Sequence, residues 1–143
     1  LIRIDRSVWE RMADYCRTRL PEEACGALFG PAGADNDIIT CFTPIGNAAA
    51  SPATEFAFDA REWIYSLYEA ERKQLKLVGV FHSHPRTSGH PSAQDIAGSL
   101  PGEISYWIVS FAGPDRPDIR AYRRTVDPRR GVIILCPIAY SFD

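Results

Sequence analysis

The sequence has no Cys-x-x-Cys pair, no apolar run near the length of a membrane helix, and no dominant sign of charge. Each absence excludes something. Cys16, Cys25, Cys41 and Cys136 are scattered through apolar stretches, so they read as small, reduced, structural thiols rather than a disulfide framework or a cysteine zinc site. Reduced thiols fit a cytoplasmic protein, and no signal-peptide pattern precedes the first apolar segment. Cys25 would need an electropositive neighbour to act as a nucleophile, and none is nearby in sequence. A bilayer span takes roughly 20 consecutive apolar residues, which this chain lacks, so no membrane partner is expected. Sixteen Lys and Arg against eighteen Asp and Glu leave a net charge of -2, which argues against nucleic acid as a partner. At 143 residues and 45% hydrophobic content, residues 1–143 are expected to form one domain able to bury a substantial core.

The periodicities alternate between strand and helix. A short strand over Leu1 to Ile4 leads to a helix capped by Asp5 or Ser7, with Trp9, Ala13, Cys16 and Leu20 on one stripe and Pro21 closing it. Ala24 to Phe29 and Ile38 to Ile45 are apolar runs separated by Gly30-Pro31-Ala32-Gly33, the pattern of an antiparallel pair. Asp59-Ala60-Arg61-Glu62 resembles a capping box and opens a helix to about Leu75, with Trp63, Leu67 and Ala70, joined by Ile64 and Tyr68, as its buried face. Leu77 to His84 is apolar on both faces, as a central strand should be. A short helix from Ser92 and strands over Ile104 to Phe111, Ile119 to Thr125 and Val132 to Ile138 complete a strand-rich α/β chain.

The chemistry concentrates where that central strand ends, at His82-Ser83-His84-Pro85. Side chains alternate along a strand, so both imidazoles face one way and Ser83 the other. The loop Arg86 to Pro91 can return Asp95 toward them. Two histidines and one carboxylate leave a fourth tetrahedral position open, the arrangement of a catalytic rather than a structural zinc site. Ser92 and Asp95 also have the spacing of a helix cap, and the two functions are compatible. The third histidine, His90, reads as a solvated loop residue.

His-x-His-Pro, six residues (Arg86 to Pro91), Ser92, two residues and Asp95, with Glu23-Ala24-Cys25-Gly26 upstream, resembles the JAMM, or MPN-plus, zinc metalloproteases. The resemblance extends over nearly the whole chain. It implies a mixed, mostly antiparallel curved sheet flanked by helices, related to the cytidine-deaminase architecture. It also implies one Zn2+ held by His82, His84 and Asp95, Glu23 as general acid/base, and Ser92 as an oxyanion donor. Glu22 is the competitor of Glu23, but alternation sends the two to opposite faces, and only Glu23 has the matching spacing to Cys25-Gly26.

Members of this family act largely on amide or isopeptide bonds at the C-terminal tails of ubiquitin-like proteins. Some carry an insertion after the Asp with ligands for a second zinc. Here only eight residues separate Asp95 from Ile104, so the chain looks like a compact prokaryotic-type member, similar to those that process sulfur-carrier proteins ending in Gly-Gly. A tail could add as a strand, with Ala48 to Phe58 and Ser99 to Glu103 as candidate contacts. Arg116, Arg120, Arg123, Arg124, Arg129 and Arg130 make a basic C-terminal region, read as a solvated strand edge or a surface for an acidic partner. The competing functions are a peptidoglycan peptidase of the same fold and a non-catalytic binding module. A zinc deaminase fits poorly because the Pro-Cys-x-x-Cys ligands are missing.

Overall fold

The computed structural model describes residues 1–35 and 37–143. Among them the chain forms β1 (Ile2–Ile4), α1 (Arg6–Arg19), β2 (Cys25–Pro31), β3 (Ile38–Ile39), β4 (Cys41–Ile45), α2 (Ala60–Arg72), β5 (Leu75–His84), α3 (Ala93–Ala97), β6 (Ser105–Ser110), β7 (Asp118–Val126), β8 (Ile133–Ile138) and β9 (Tyr140–Phe142). The main sheet has the order β4-β2-β5-β6-β7-β8, and a small sheet has the order β3-β1-β9. In the main sheet β5 and β6 run parallel and every other neighbouring pair is antiparallel. A parallel pair needs a crossover, and the segment between β5 and β6 that carries α3 is that crossover. This is the expected mixed, mostly antiparallel α/β sheet.

The two faces of the main sheet are covered differently. One buries Leu28, Val78, Phe81, Trp107 and Val109 against Val8, Met12, Ala13 and Cys16 of α1 and against Ile2, Ile4 and Ile39 of the small sheet. The other buries Ala27, Phe29 and Ile45 against Ala70, Trp63 and Leu67 of α2. Farther along that second face, Val80, Tyr106, Ile108, Tyr122 and Leu135 form a separate cluster. Both faces of β5 are therefore apolar, as its sequence indicates.

Three expectations are corrected, and one strand was not foreseen. Ile38 to Ile45 is not one strand. Gly30 of β2 passes so close to β3 that an added Cβ would lie 2.0 Å from the Ile38 carbonyl oxygen, and Ile38–Ile39 turns away to pair with β1, leaving Cys41–Ile45 to pair with β2. In α1, Asp5 holds the N-cap position without a side-chain cap bond and Ser7 lies inside the helix. The buried stripe there is Val8, Met12, Ala13 and Cys16; Trp9 is at the rim, donating to the Tyr140 hydroxyl, and Leu20 lies past the last turn. In α2, Asp59 does cap the Glu62 amide at 3.0 Å, but the Glu62 carboxylate turns to the Gly46 amide instead of reaching back. The helix ends at Arg72, and Ile64 and Tyr68 are 52% and 70% exposed because they lie away from the face that meets the sheet. The C-terminal strand β9 has too little apolar pattern to stand out in sequence, yet it pairs with β1.

No helix among the described residues is long and apolar enough to cross a membrane. The basic C-terminal residues are partly committed to the fold: Arg123 pairs with Asp37 at 2.7 Å, Arg120 with Asp118 at 2.8 Å, and Arg124 donates to the Ser99 hydroxyl. All three are on β7, which is flanked by β6 and β8, so this part of the region is not a strand edge.

Close packing between β2 and its neighbours makes Gly26 a sharp probe. A Cβ there would lie 2.4 Å from both the Phe81 ring and the Thr43 carbonyl oxygen. Gly26→Ala should therefore lower stability by about 1–3 kcal/mol through overpacking, measured as a shift in the urea midpoint with an unchanged slope.

Candidate active site

The site begins with the pairing of β2 and β5. Cys25 lies opposite His82, and just beyond it the Ser83 amide donates to the Ala24 carbonyl at 2.9 Å. The Ala24 amide in turn donates to the Ser83 hydroxyl at 2.8 Å. Continuing that antiparallel register one step puts Glu23 across from His84, on the same side of the sheet. Ser83 points to the other face and is fully buried, as strand alternation requires. Glu22 extends outward toward Arg19.

α3 brings the third group. Ser92 and Asp95 form a reciprocal cap: the Asp95 amide donates to Ser92 Oγ at 3.0 Å, and the Ser92 amide donates to Asp95 Oδ2 at 2.9 Å. This fixes the carboxylate against the end of β5. Asp95 Oδ1 is 3.1 Å from His82 Nε2, Asp95 Oδ2 is 3.0 Å from His84 Nε2, and the two Nε2 atoms are 3.1 Å apart. One donor atom from each of these residues lies within 4.8 Å of the others.

The hydrogen-bond direction at His84 decides what this cluster is suited to hold. Its Nδ1 is 2.7 Å from the Ser88 carbonyl oxygen. A carbonyl only accepts, so Nδ1 carries the hydrogen and the neutral ring turns the Nε2 lone pair inward. His84 Nε2 and the two Asp95 oxygens then direct electron pairs at one point, beside His82 Nε2, and a proton or a cation must lie among them. Ligand atoms about 2.0–2.2 Å from a tetrahedral zinc ion lie roughly 3.3 Å from one another, close to the observed spacings. The donor set fits zinc, and a ligating imidazole whose other nitrogen donates to a backbone carbonyl is the usual supporting arrangement.

Burial and charge tune the groups unequally. Burial pushes the Glu23 carboxyl up to about 7; the Asp95 and Glu55 carboxylates add to this, while the His84 ring works against it. Burial also presses on Asp95, but the hydrogen bonds from both histidines outweigh it and keep its carboxyl well below the usual carboxylate range. His82 is lowered by burial. His84 feels the same pressure, yet its bonds to Asp95 and the Ser88 carbonyl leave it raised.

The loop between β5 and α3 is held at several points. Ser110 donates to the Thr87 carbonyl at 2.6 Å, and Tyr122 donates to the Gly89 carbonyl at 2.5 Å, so Ser88 is fixed from both sides. His90 lies between Ser88 and Arg120 at 2.9 and 3.2 Å and stays outside the cluster, as expected of a loop residue. Cys25 is unsuited to nucleophilic work: burial, and secondarily Glu23, drives its thiol up to about 12.

Several contributors were not foreseen. The Phe56 ring stacks on His82 at 4.4 Å and 22°. The Asn47 side chain donates to the Glu23 and Glu55 carbonyls and accepts from the Ala49 and Ala57 amides. It thus ties Glu23 to the segment that carries Phe56. The pair of aromatics Phe56 and Phe58 in an otherwise small-residue loop was a usable signal; Ser110 and Tyr122 offered none. A cavity of about 410 Å3 opens beside His82 and Asp95, with Thr54 to Phe58 and Ser99 to Leu100 in its wall. These are parts of both candidate contact segments, while Ala48 to Ala53 and Pro101 to Glu103 lie outside that wall.

Comparison with known sequences agrees with this geometry. Residues 5–125 match the profile described as prokaryotic homologs of the JAB domain. The chain belongs to the JAB/MPN family. It is 33% identical over 112 residues to the CysO-cysteine peptidase of Mycobacterium tuberculosis, covering 78% of this chain and 75% of that protein. It is 36% identical over 91 residues to the desampylase of Pyrococcus furiosus, covering 64% of this chain and 61% of that one. Among solved structures, a protein from Desulfitobacterium hafniense superposes with a TM-score of 0.79 at 28% identity, covering 100% of this chain and 94% of its own.

Two outcomes follow for metal binding. Tyr122→Phe frees the Gly89 carbonyl and relaxes the loop that orients His84, so zinc affinity measured by chelator competition should fall about 10–100-fold. Binding must also displace the proton that His84 retains above its ordinary value of 6.5. Apparent affinity should therefore rise as pH increases through and beyond 6.5 and weaken in acid; an affinity flat from pH 5 to 8 would contradict this assignment.

Proposed function

We propose that this JAB protein is a zinc-dependent peptidase that hydrolyses the amide bond following the C-terminal Gly-Gly of a sulfur-carrier or ubiquitin-like protein. The observation that carries the reading is the placement of a buried Glu23 carboxyl, unligated and near neutral in pKa, across from a convergent His82, His84 and Asp95 set. His82, His84 and Asp95 are the residues to hold Zn2+. Zinc, when bound there, supplies Lewis acidity that lowers the pKa of water toward about 7 and polarises an amide carbonyl.

Glu23 is the general acid/base. Its carboxylate accepts a proton from the attacking water and returns it to the departing nitrogen, because an amine anion is too poor a leaving group to depart unprotonated. In the overall reaction the C–N bond breaks and the water oxygen joins the carbonyl carbon. Both water hydrogens end on nitrogen, giving a carboxylate and an ammonium. Ser92 serves twice: its oxygen accepts the Asp95 amide, and its hydroxyl hydrogen donates to the developing oxyanion.

The cavity beside His82 and Asp95 supports an extended tail as substrate. Its wall is largely apolar, with Phe56, Phe58, Leu100, Tyr106 and Leu135, which suits the side chains preceding a narrow Gly-Gly that reaches the reacting centre. The relatives' names, a peptidase of a CysO-cysteine bond and a desampylase, support protein-linked amides over cell-wall peptides. The reduced cysteines support a cytoplasmic setting.

Glu23→Gln keeps the shape of the side chain but removes its proton-transfer capacity. It should lower kcat by about 10²–10⁴-fold while zinc content by mass spectrometry stays at one per chain. The substrate class is tested with zinc-loaded protein and a panel of Gly-Gly-ended carriers extended by an amino acid, carriers isopeptide-linked to lysine, and wall peptides. Turnover of carrier adducts alone is the expected result, and cleavage confined to wall peptides would overturn it.

A further inference from the structure

Glu23 stands just before β2 begins at Cys25, and its backbone is not held by β5. Strand alternation turns the amide and carbonyl of Ala24 toward Ser83 and those of Glu23 the other way. There the Glu23 amide donates to the Pro52 carbonyl at 2.7 Å, and the Glu23 carbonyl accepts from Asn47 Nδ2 at 3.0 Å. Both backbone groups of the general acid/base therefore end on the loop between β4 and α2.

Asn47 is the hub of that loop. Its Nδ2 also donates to the Glu55 carbonyl at 3.0 Å, with a longer contact of 3.5 Å to the Pro52 carbonyl. Its Oδ1 accepts from the Ala49 and Ala57 amides at 3.0 and 3.1 Å, and its backbone bridges to Phe58. Carbonyls on one side and amides on the other fix which end is oxygen, and both donor hydrogens and both acceptor lone pairs are used. An aspartate would only accept, and a glutamine is one methylene longer. From Glu55 the loop runs on to Phe56, whose ring stacks on His82 at 4.4 Å, and Thr54 to Phe58 line the larger cavity. One side chain thus fastens Glu23 to the wall beside the metal-ligand cluster.

Resting on the peptidase reading above, we propose that Asn47 is a positioning residue for the reaction: its bond to the Glu23 carbonyl sets the reach of the Glu23 carboxyl toward the attacking water and the departing nitrogen. Proton transfer needs that carboxyl within hydrogen-bond reach, and Asn47 touches neither substrate nor metal ligand. Its bonds to Glu55 and Ala57 hold the cavity wall in step with Glu23, so the acid/base and the tail share one reference point.

Hydrogen exchange followed by NMR reads the fastening without turnover. In Asn47→Ala it should quicken about tenfold or more at the Glu23 and Ala57 amides, while the Ser83 amide, held by Ala24, stays protected. With zinc-loaded protein and a Gly-Gly-ended carrier extended by an amino acid, Asn47→Ala should lower kcat about 100-fold. In a Glu23→Gln background the same substitution should leave kcat unchanged, because the group it positions is already disabled, while any rise in KM from the loosened wall persists. Asn47→Asp keeps the two accepted bonds and loses the two donated ones, so it should be as slow as Asn47→Ala. Costs that multiply in the double variant, wild-type kcat in Asn47→Asp, or unchanged exchange at Glu23 would each overturn the assignment. Quickened exchange at Glu23 in a protein whose wild type cleaves no carrier would refute the peptidase reading and leave the fastening standing.

Discussion

The pairing of β2 with the end of β5 is the constraint from which the site follows. Side-chain period along a strand is two, so a slip of one residue would send Glu23 to the opposite face and put Ala24 across from the imidazoles. The two hydrogen bonds between Ala24 and Ser83 guard against that slip. One of them uses a side chain, and that side chain is buried on the far face. Ser83, the residue between the histidines, thus secures the register through the face opposite the His82, His84 and Asp95 cluster. Gly26, two pairs farther along, lets Phe81 press against the strand with no room for a side chain, so the backbones stay close where the register is set.

Electrostatics complete what the register begins. His82, His84 and Asp95 are enclosed, and their inward electron pairs would repel one another without a shared positive charge. Such a cluster is costly unless it is paired, and its geometry is held from outside by the Ser88 carbonyl, the Ser92 cap and the Phe56 ring. Glu23 feels the same burial without a direct partner, which is why its carboxyl moves up while that of Asp95 moves down. Two carboxylates in one site thereby take different protonation behaviour from their surroundings alone.

How much of this could be read from the sequence depended on whether the signal was local. His82 and His84 share a face because of strand alternation, and the Ser92–Asp95 spacing is a helix cap; both are properties of a few adjacent residues. The burial of Glu23 beside an outward-facing Glu22 was also legible through alternation. The family pattern supplied the fold and the link between distant segments. What stayed hidden depends on chain reversal at long range: the departure of Ile38–Ile39 to β1, the edge addition of Tyr140–Phe142, and the bonds from Ser110 and Tyr122 to the loop between β5 and α3. None of these leaves a periodic trace. The exposed Ile64 and Tyr68 mark a different limit, since α2 meets the sheet through a narrower stripe than its apolar content suggests.

Asp95 is at once the return arm of a helix cap and a donor aimed at the end of a strand. Its length is therefore fixed by two geometries together. A glutamate, one methylene longer, could keep the charge but could not satisfy both reaches from the same backbone position. The closest chemical substitute is thus excluded by geometry, although Asp95 sits in the shortest helix of the described residues.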